Sequence, residues 1–270
     1  MEETKYIPIY FKDLFKQIFS DKNDLEPLKY LIKQLLDIEV NNLEFINNKI
    51  YRDEHMNFYV LTKTRDGLIH NIIFATNCKY VDLKESYLLL MQAIGEDYGK
   101  YDIYSNLRYY MINFNYGRLK ELSPLSRIKL ANTKNPEDSI ELYEIIDIYL
   151  PFYEEKYLNK DKNKLTELES LLGIIGLSKQ ADIKENNKIL QIITEKSKKY
   201  QSNEEIINSY ITHKFDEDRI EDEVKISIRH CIENIIDKMK QRDISVEDIA
   251  EITGFSIEEV KKEKNERTII

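Results

Sequence analysis

Aromatic side chains are distributed so unevenly along this chain that they set its architecture. Of 19 Tyr and 10 Phe, only Tyr200, Tyr210, Phe215 and Phe255 lie beyond residue 160. Aromatic and β-branched residues suit sheets and mixed cores. A charged, aromatic-poor stretch with an apolar residue every three or four positions suits helices. The expectation is therefore an α/β domain over residues 1–160 and a helical region over 161–270. A length of 270 residues allows one substantial core with a helical appendage, and no repeat of fixed period interrupts this division.

The order of elements follows from local periodicity. Phe11, Leu14, Phe15, Ile18 and Phe19, then Leu28, Leu31, Ile32, Leu35 and Leu36, form two helical stripes suited to packing. "NLEFINNKIY" reads as a short strand that leads into a β-hairpin with arms at 57–64 and 68–76. Its loop, Arg65-Asp66-Gly67, ends in the residue best able to adopt a left-handed conformation. "YVDLKESYLLLMQAIGEDYG" follows as a helix, then "LRYYMINFNY" and "IELYEIIDIYLPF" as strands, the second closed by Pro151. Helices, strands, helix and strands in that order predict a mixed sheet flanked by helices.

Beyond 160, four segments carry helical periodicity: "KLTELESLLGIIGL", "NKILQIITEKSKKY", "NEEIINSYITHKF" and "EDEVKISIRHCIENIIDKMKQRD". The region ends in a helix-turn-helix-like hairpin over 244–264. There Ser245 and Ser256 suit helix caps, Ala250 a close helix contact, Gly254 the turn and Val260 the second helix's inner face. Its would-be recognition helix mixes Glu258, Glu259, Glu263 and Glu266 with its Lys and Arg, where a groove-reading helix needs net positive charge. Packing or dimerisation is the reading favoured over base recognition.

Charge narrows the partners. A formal net charge of −9 works against non-specific attraction to a phosphate backbone unless the basic residues gather on one face. Nucleic acid stays open as a partner. A protein partner or a homo-oligomer assembled through the C-terminal helices is favoured. No stretch approaches the roughly 18 apolar residues of a membrane span, and the acidic start "MEETKYIPIYFKDLF" lacks a basic n-region. With only Cys78 and Cys231, far apart, a reducing compartment is expected, and the cytoplasm is the assigned location.

Several segments taken in order, "FKQIF", the hairpin, "MQAIGEDYG", "INFN" and "IIDIYLPF", resemble the Rpn family. These are recombination-promoting nucleases, or transposase-like proteins, of the PD-(D/E)XK superfamily. The tail "ISVEDIAEITGFSIEEVKK" is similar to a C-terminal segment that many of them carry. The resemblance implies a restriction-endonuclease-like core that cuts DNA with Mg²⁺. One strand of such a core supplies an Asp, and the next a Glu followed two residues later by Lys or Gln. Side chains i and i+2 share a face of a strand and so converge. Two carboxylates hold the hard cation, which acidifies a water and stabilises the charged phosphate.

Carried onto this sequence, the Asp falls at Asn57, the Glu at Ile73 and the Gln at Ala75, and none of the three is kept. A three-residue hairpin loop pairs Thr64 with Leu68, and hence Tyr59 with Ile73 and Asn57 with Ala75. A one-residue slip would turn every side chain over. Yet "LIHNIIFATN" has no Asp or Glu at any position, so no slip restores the acid. Gln92 matches the family's Gln on the following helix. Near the N-terminus the family's Asp would fall at Lys12, with Asp13 beside it.

The expectation is a pseudonuclease that needs no cofactor and acts by binding. The first alternative is an active Mg²⁺-dependent endonuclease with displaced acids drawn from Asp53, Glu54, Asp82 and Glu85. The second is a helix-turn-helix DNA-binding or oligomerisation protein. His55, His70, His213 and His230 are scattered and read as structural or surface residues. Neither cysteine has a context that would lower its pKa, and the seven glycines form no phosphate-binding loop.

Overall fold

The computed structural model describes residues 6–45, 56–63, 67–77, 83–97, 107–117, 123–131, 134, 139–159, 164–181, 183, 185–242, 244–253 and 256–261. They divide into two compact units, 1–210 and 211–270.

The first unit is α/β. It opens with α1 (Lys12–Phe19) and α2 (Glu26–Leu36), whose inner faces are the two apolar stripes of the sequence. Pro27 sits in the first turn of α2, where its missing N–H leaves no bond unmade. Asp37, in the left-handed conformation at φ 56°, ends that helix. Strands β1 (Asn42–Phe45), β2 (Met56–Lys63) and β3 (Ile69–Asn77) follow, then α3 (Leu83–Asp97), β4 (Leu107–Asn115), β5 (Leu125–Ala131) and β6 (Ser139–Tyr149). The sheet has six strands in the order β1-β2-β3-β4-β6-β5. β3, β4 and β6 run parallel; β1, β2 and β5 pair antiparallel to their neighbours. The fold is thus the mixed sheet flanked by helices that the element order predicts.

Side-chain alternation assigns the two faces of the sheet. Phe58, Val60, Ile72, Phe74, Ile112, Phe114, Ile146 and Ile148 enter the larger core with α1 and α2. Ile73, Ala75, Tyr109, Met111, Tyr143 and Ile145 enter a smaller core with Leu90 and Ala93 of α3. Phe15 lies at the middle of the larger core, 5.1 Å from Phe114 and 5.9 Å from Phe58 between ring centroids.

Two elements had no sequence signal of their own: β5 and α4 (Leu150–Asn159). Pro151 closes the preceding strand as expected, but by starting α4 rather than a loop, because proline fits the first turn of a helix. Beyond it lie α5 (Glu167–Gly176) and α6 (Lys188–Tyr200). A capping box of Thr166 and Glu169 starts α5, and Asn187 caps α6 through the amides of Ile189 and Leu190.

Leu171, Leu172, Ile174, Ile175, Leu190 and Ile193 of these helices belong to the larger core. The compact unit therefore continues to 210, whereas the aromatic supply falls away at 160, because aliphatic side chains take over the filling. Gln201 ties the N-terminal segment to the end of α6, accepting from the Ile7 amide at 2.8 Å and donating to the Ile7 carbonyl at 2.7 Å.

The segments "NEEIINSYITHKF" and "EDEVKISIRHCIENIIDKMKQRD" merge into one helix, α7 (Glu204–Lys240). No Gly or Pro interrupts them, and the charged joint is rich in good helix formers. In the second unit α8 (Val246–Thr253) and α9 (Ile257–Lys261) complete the hairpin. Ser245 caps α8 by accepting from the Asp248 amide at 3.1 Å, and Val260, Ile249 and Ile236 form a small core with Ala250 against it. Gly254 lies outside the described residues. Among those described, no helix is long and apolar enough to cross a membrane.

Candidate functional site

The hairpin places the positions that the Rpn resemblance singles out. Tyr59 opposes Ile73, and the ladder continues in step to Lys63 opposite Ile69, with Gly67 at φ 89° in the turn as expected. At the other end the expected register breaks: Ala75 opposes Met56, not Asn57. An irregularity between Met56 and Phe58 leaves Asn57 as the extra residue of a bulge, a common device near strand ends. A pattern of alternation cannot reveal an inserted residue without a glycine to mark it.

Ile73 and Ala75 share one face of β3, as i and i+2 residues must. They are 0% and 1% exposed, and they belong to one apolar cluster with Leu90 and Ala93 of α3. Gln92, by contrast, is exposed. The helix turns Ser86, Leu90 and Ala93 inward, so Gln92 is not brought to Ile73 and Ala75. Of the displaced acids, Asp53, Glu54 and Asp82 lie outside the described residues, as does the side chain of Glu85. Asp13 accepts a hydrogen bond from Ser209 on α7, beside Lys12 at the start of α1.

The histidines do not converge among the described residues. His70 is buried and stacks on Tyr110 with ring centroids 5.8 Å apart. His213 lies on α7 in the second unit. His55, Cys78 and the side chains of His230 and Cys231 lie outside what is described. Among the described residues no three His, Cys, Asp or Glu side chains gather to hold a metal ion.

What the face under α3 does contain is a buried polar cluster. Asn113 and Asn115 of β4 lie two apart on one face, and register sets Asp147 of β6 beside Asn113, whose other strand neighbour is Ala75. Asn113 donates through Nδ2 to the Ser86 hydroxyl at 2.8 Å, and Asn115 donates through Nδ2 to the Asp147 carboxylate. All four side chains are buried. The signal was present in the sequence: "INFN" and "IID" put amides and an acid inside strands covered on both faces. Such strands ordinarily read as unbroken apolar runs.

Tyrosines at the edges of the two cores respond to burial. Tyr143, edge-on to Tyr87 at 5.9 Å, has its phenol pushed up to about 12, first by burial and then by the Tyr87 hydroxyl. Burial and the nearby Glu154 carboxylate raise Tyr6 to about 12 as well. Both hydroxyls stay neutral at physiological pH and neither is poised as a base.

No family model matches the chain, and no curated protein or solved structure matches it.

Proposed function

We propose that the chain is a pseudonuclease of the Rpn type: a restriction-endonuclease-like fold that has lost its metal site and acts by binding, with another protein favoured over DNA as partner. One observation carries this reading. Ile73 and Ala75, the positions that the resemblance gives to the metal-binding Glu and its Gln, form apolar core with Leu90 and Ala93. They offer no oxygen to a hard cation. Mg²⁺ would be the metal if acids from elsewhere rebuilt the site.

The preference for a protein partner rests on the surface of the helical hairpin. Its exposed side chains include Glu247, Asp248, Glu251 and Glu258, with Ile252 and Ile257 among them. An acidic surface interrupted by exposed apolar side chains suits a polypeptide better than a phosphate backbone.

The test is incubation of the purified protein with plasmid DNA in Mg²⁺ or Mn²⁺. No cleavage is expected. Cleavage by the wild type that disappears in an Asp53→Ala/Glu54→Ala double variant would replace this reading with an active nuclease. A DNA-binding role for the helical hairpin predicts instead a steep salt dependence of DNA binding that weakens when Lys261 and Lys262 are neutralised.

A further inference from the structure

We propose that the outer face of α3 is a self-association surface, on which a second copy of this chain packs its own α3 antiparallel about a two-fold axis. The contact lies in the first unit, draws nothing from the nuclease resemblance, and is separate from the surface of the helical hairpin.

The argument begins with what α3 turns outward. Ser86, Leu90 and Ala93 are buried on its inner side. At about 100° per residue, Leu88 stands opposite them, Gly95 follows two turns later on the same line, and Met91 and Gln92 flank that line. Leu88 is 58% exposed and Tyr87 beside it 42%, while Gln92 and Gly95 are exposed and Met91 is half-buried. The outer side of a surface helix ordinarily carries charge. Residues 86–95 hold no Asp, Glu, Lys or Arg, although 33% of the chain is charged. α3 therefore has the composition of a helix covered on both sides, with one side open. It is also the one helix of the smaller core among the described residues, and that core keeps Ile69, Ile128 and Leu142 of the sheet partly exposed at its rim.

Shape and charge select a second copy as the cover. A two-fold axis passing between Met91 and Gln92 sets Leu88 of each copy against Gly95 of the other, because the two lie equally far on either side of it. A Cβ at Gly95 would meet nothing within 4 Å, so the helix has room there for a leucine from outside. Glycine at a crossing lets two helices approach to the short end of the usual range of about 8–10 Å. The same axis brings the two Gln92 amides together, and each can donate to and accept from the other. An isologous contact sets residues near the axis against their own kind, so any charge there would repel itself. A net charge of −9 makes two copies repel over much of their surface. The uncharged face of α3 is where they can meet without that cost, and antiparallel pairing opposes the two helix dipoles.

Area sets the strength. The 15 residues of α3 span about 22 Å, and six strands span about 29 Å. The face in outline is thus about 600 Å², below the roughly 800 Å² per partner of a standard interface. A reversible dimer follows, with a dissociation constant of about 1–100 µM.

Sedimentation velocity of the full-length chain between about 1 and 300 µM tests this. Wild type should pass from monomer to dimer across that range. Association should strengthen as sodium chloride is added, because salt screens the repulsion between copies. Leu88→Gln and Gly95→Gln should each weaken association by about tenfold or more. Both positions are exposed, and glutamine raises helix propensity over glycine, so Gly95→Gln should lose the dimer while keeping or raising the unfolding midpoint. Monomer throughout the range would overturn the proposal. So would a dimer that either variant leaves intact, or one that weakens with added salt as a contact made by ion pairs does.

Discussion

Ile73 is the side chain on which the proposed pseudonuclease reading can be tested at a single position. It is 0% exposed, with Leu90 and Ala93 of α3 and Met111 of β4 in the same core. Returning the acid by Ile73→Glu would bury a carboxylate among hydrocarbon, at a cost of about 3–5 kcal/mol in urea unfolding at neutral pH. Burial raises the folded-state pKa of such a Glu. Its neutral form therefore supports the fold below the ordinary carboxylate pKa, and the penalty grows as pH rises above it. The deficit against wild type should accordingly shrink as pH falls from neutral and be smallest below about pH 4. A variant as stable as wild type at neutral pH would mean that the position is wet and the core account wrong. The tyrosines give a second pH response. Tyr6 and Tyr143 titrate near 12 in the folded chain against 10.0 for an ordinary phenol. Their contribution to stability is full below pH 10 and is lost as pH climbs from there toward 12. Tyrosinate absorbance from these rings should therefore appear together with loss of secondary structure. Early ionisation in a still-folded chain would contradict their burial.

Among elements, strands and helices were legible where burial imposes a period, and illegible where it does not. The stripes of α1 and α2 and the hairpin arms each have one dominant inner face, so spacing alone finds them. Among the described residues β5 is an edge strand with β6 as its one strand neighbour, and its sequence "LSRIKLA" carries charges that blunt such an edge, so it does not read as core. α4 follows β6 with no intervening residue, and its leading "LPF" reads as the end of a strand. The hairpin register was legible except at Asn57, where the bulge inserts one residue. In the candidate site the apolar character of the hairpin positions Ile73 and Ala75 was plain from sequence. The amides and acid of the polar cluster also stood out inside apolar strands, but their convergence did not, because it joins elements that only the register of the parallel strands brings together. A similar closeness between elements explains Gly173 inside α5. A Cβ there would meet the Tyr157 Cβ of α4 at 2.5 Å. Propensity alone says that Gly173→Ala should stabilise a helix by about 1 kcal/mol. Contact with Tyr157 reverses the sign, and a loss of about 1–3 kcal/mol is expected. A denaturation midpoint raised by the substitution would show that α4 and α5 do not approach so closely.

At the scale of the whole molecule, the question is where one cooperative unit ends. The drop in aromatic content marks residue 160, yet Leu171, Leu172, Ile174, Ile175, Leu177, Leu190, Ile193, Ile206 and Tyr210 all lie in the larger core. Burying each such side chain contributes about 1.5–3 kcal/mol. Losing all nine would outweigh the roughly 5–15 kcal/mol by which a domain is ordinarily stable. A chain ending at Lys160 should therefore fail to fold, while one ending at Tyr210 should keep its near-ultraviolet tyrosine signal and unfold cooperatively. The same shortened chain addresses assembly. In the second unit Phe215 is 70% exposed and Ile252 67%, and the described core consists of Ile236, Ile249 and Val260 with a few partners against them. If these helices carry a homo-oligomer contact, the full-length chain should sediment as a multiple of its 32.3 kDa mass and the chain ending at Tyr210 as a monomer. Equal association states for the two would remove the second unit as the assembly surface. Cooperative folding of the chain ending at Lys160 would instead show that α5 and α6 decorate the core rather than complete it.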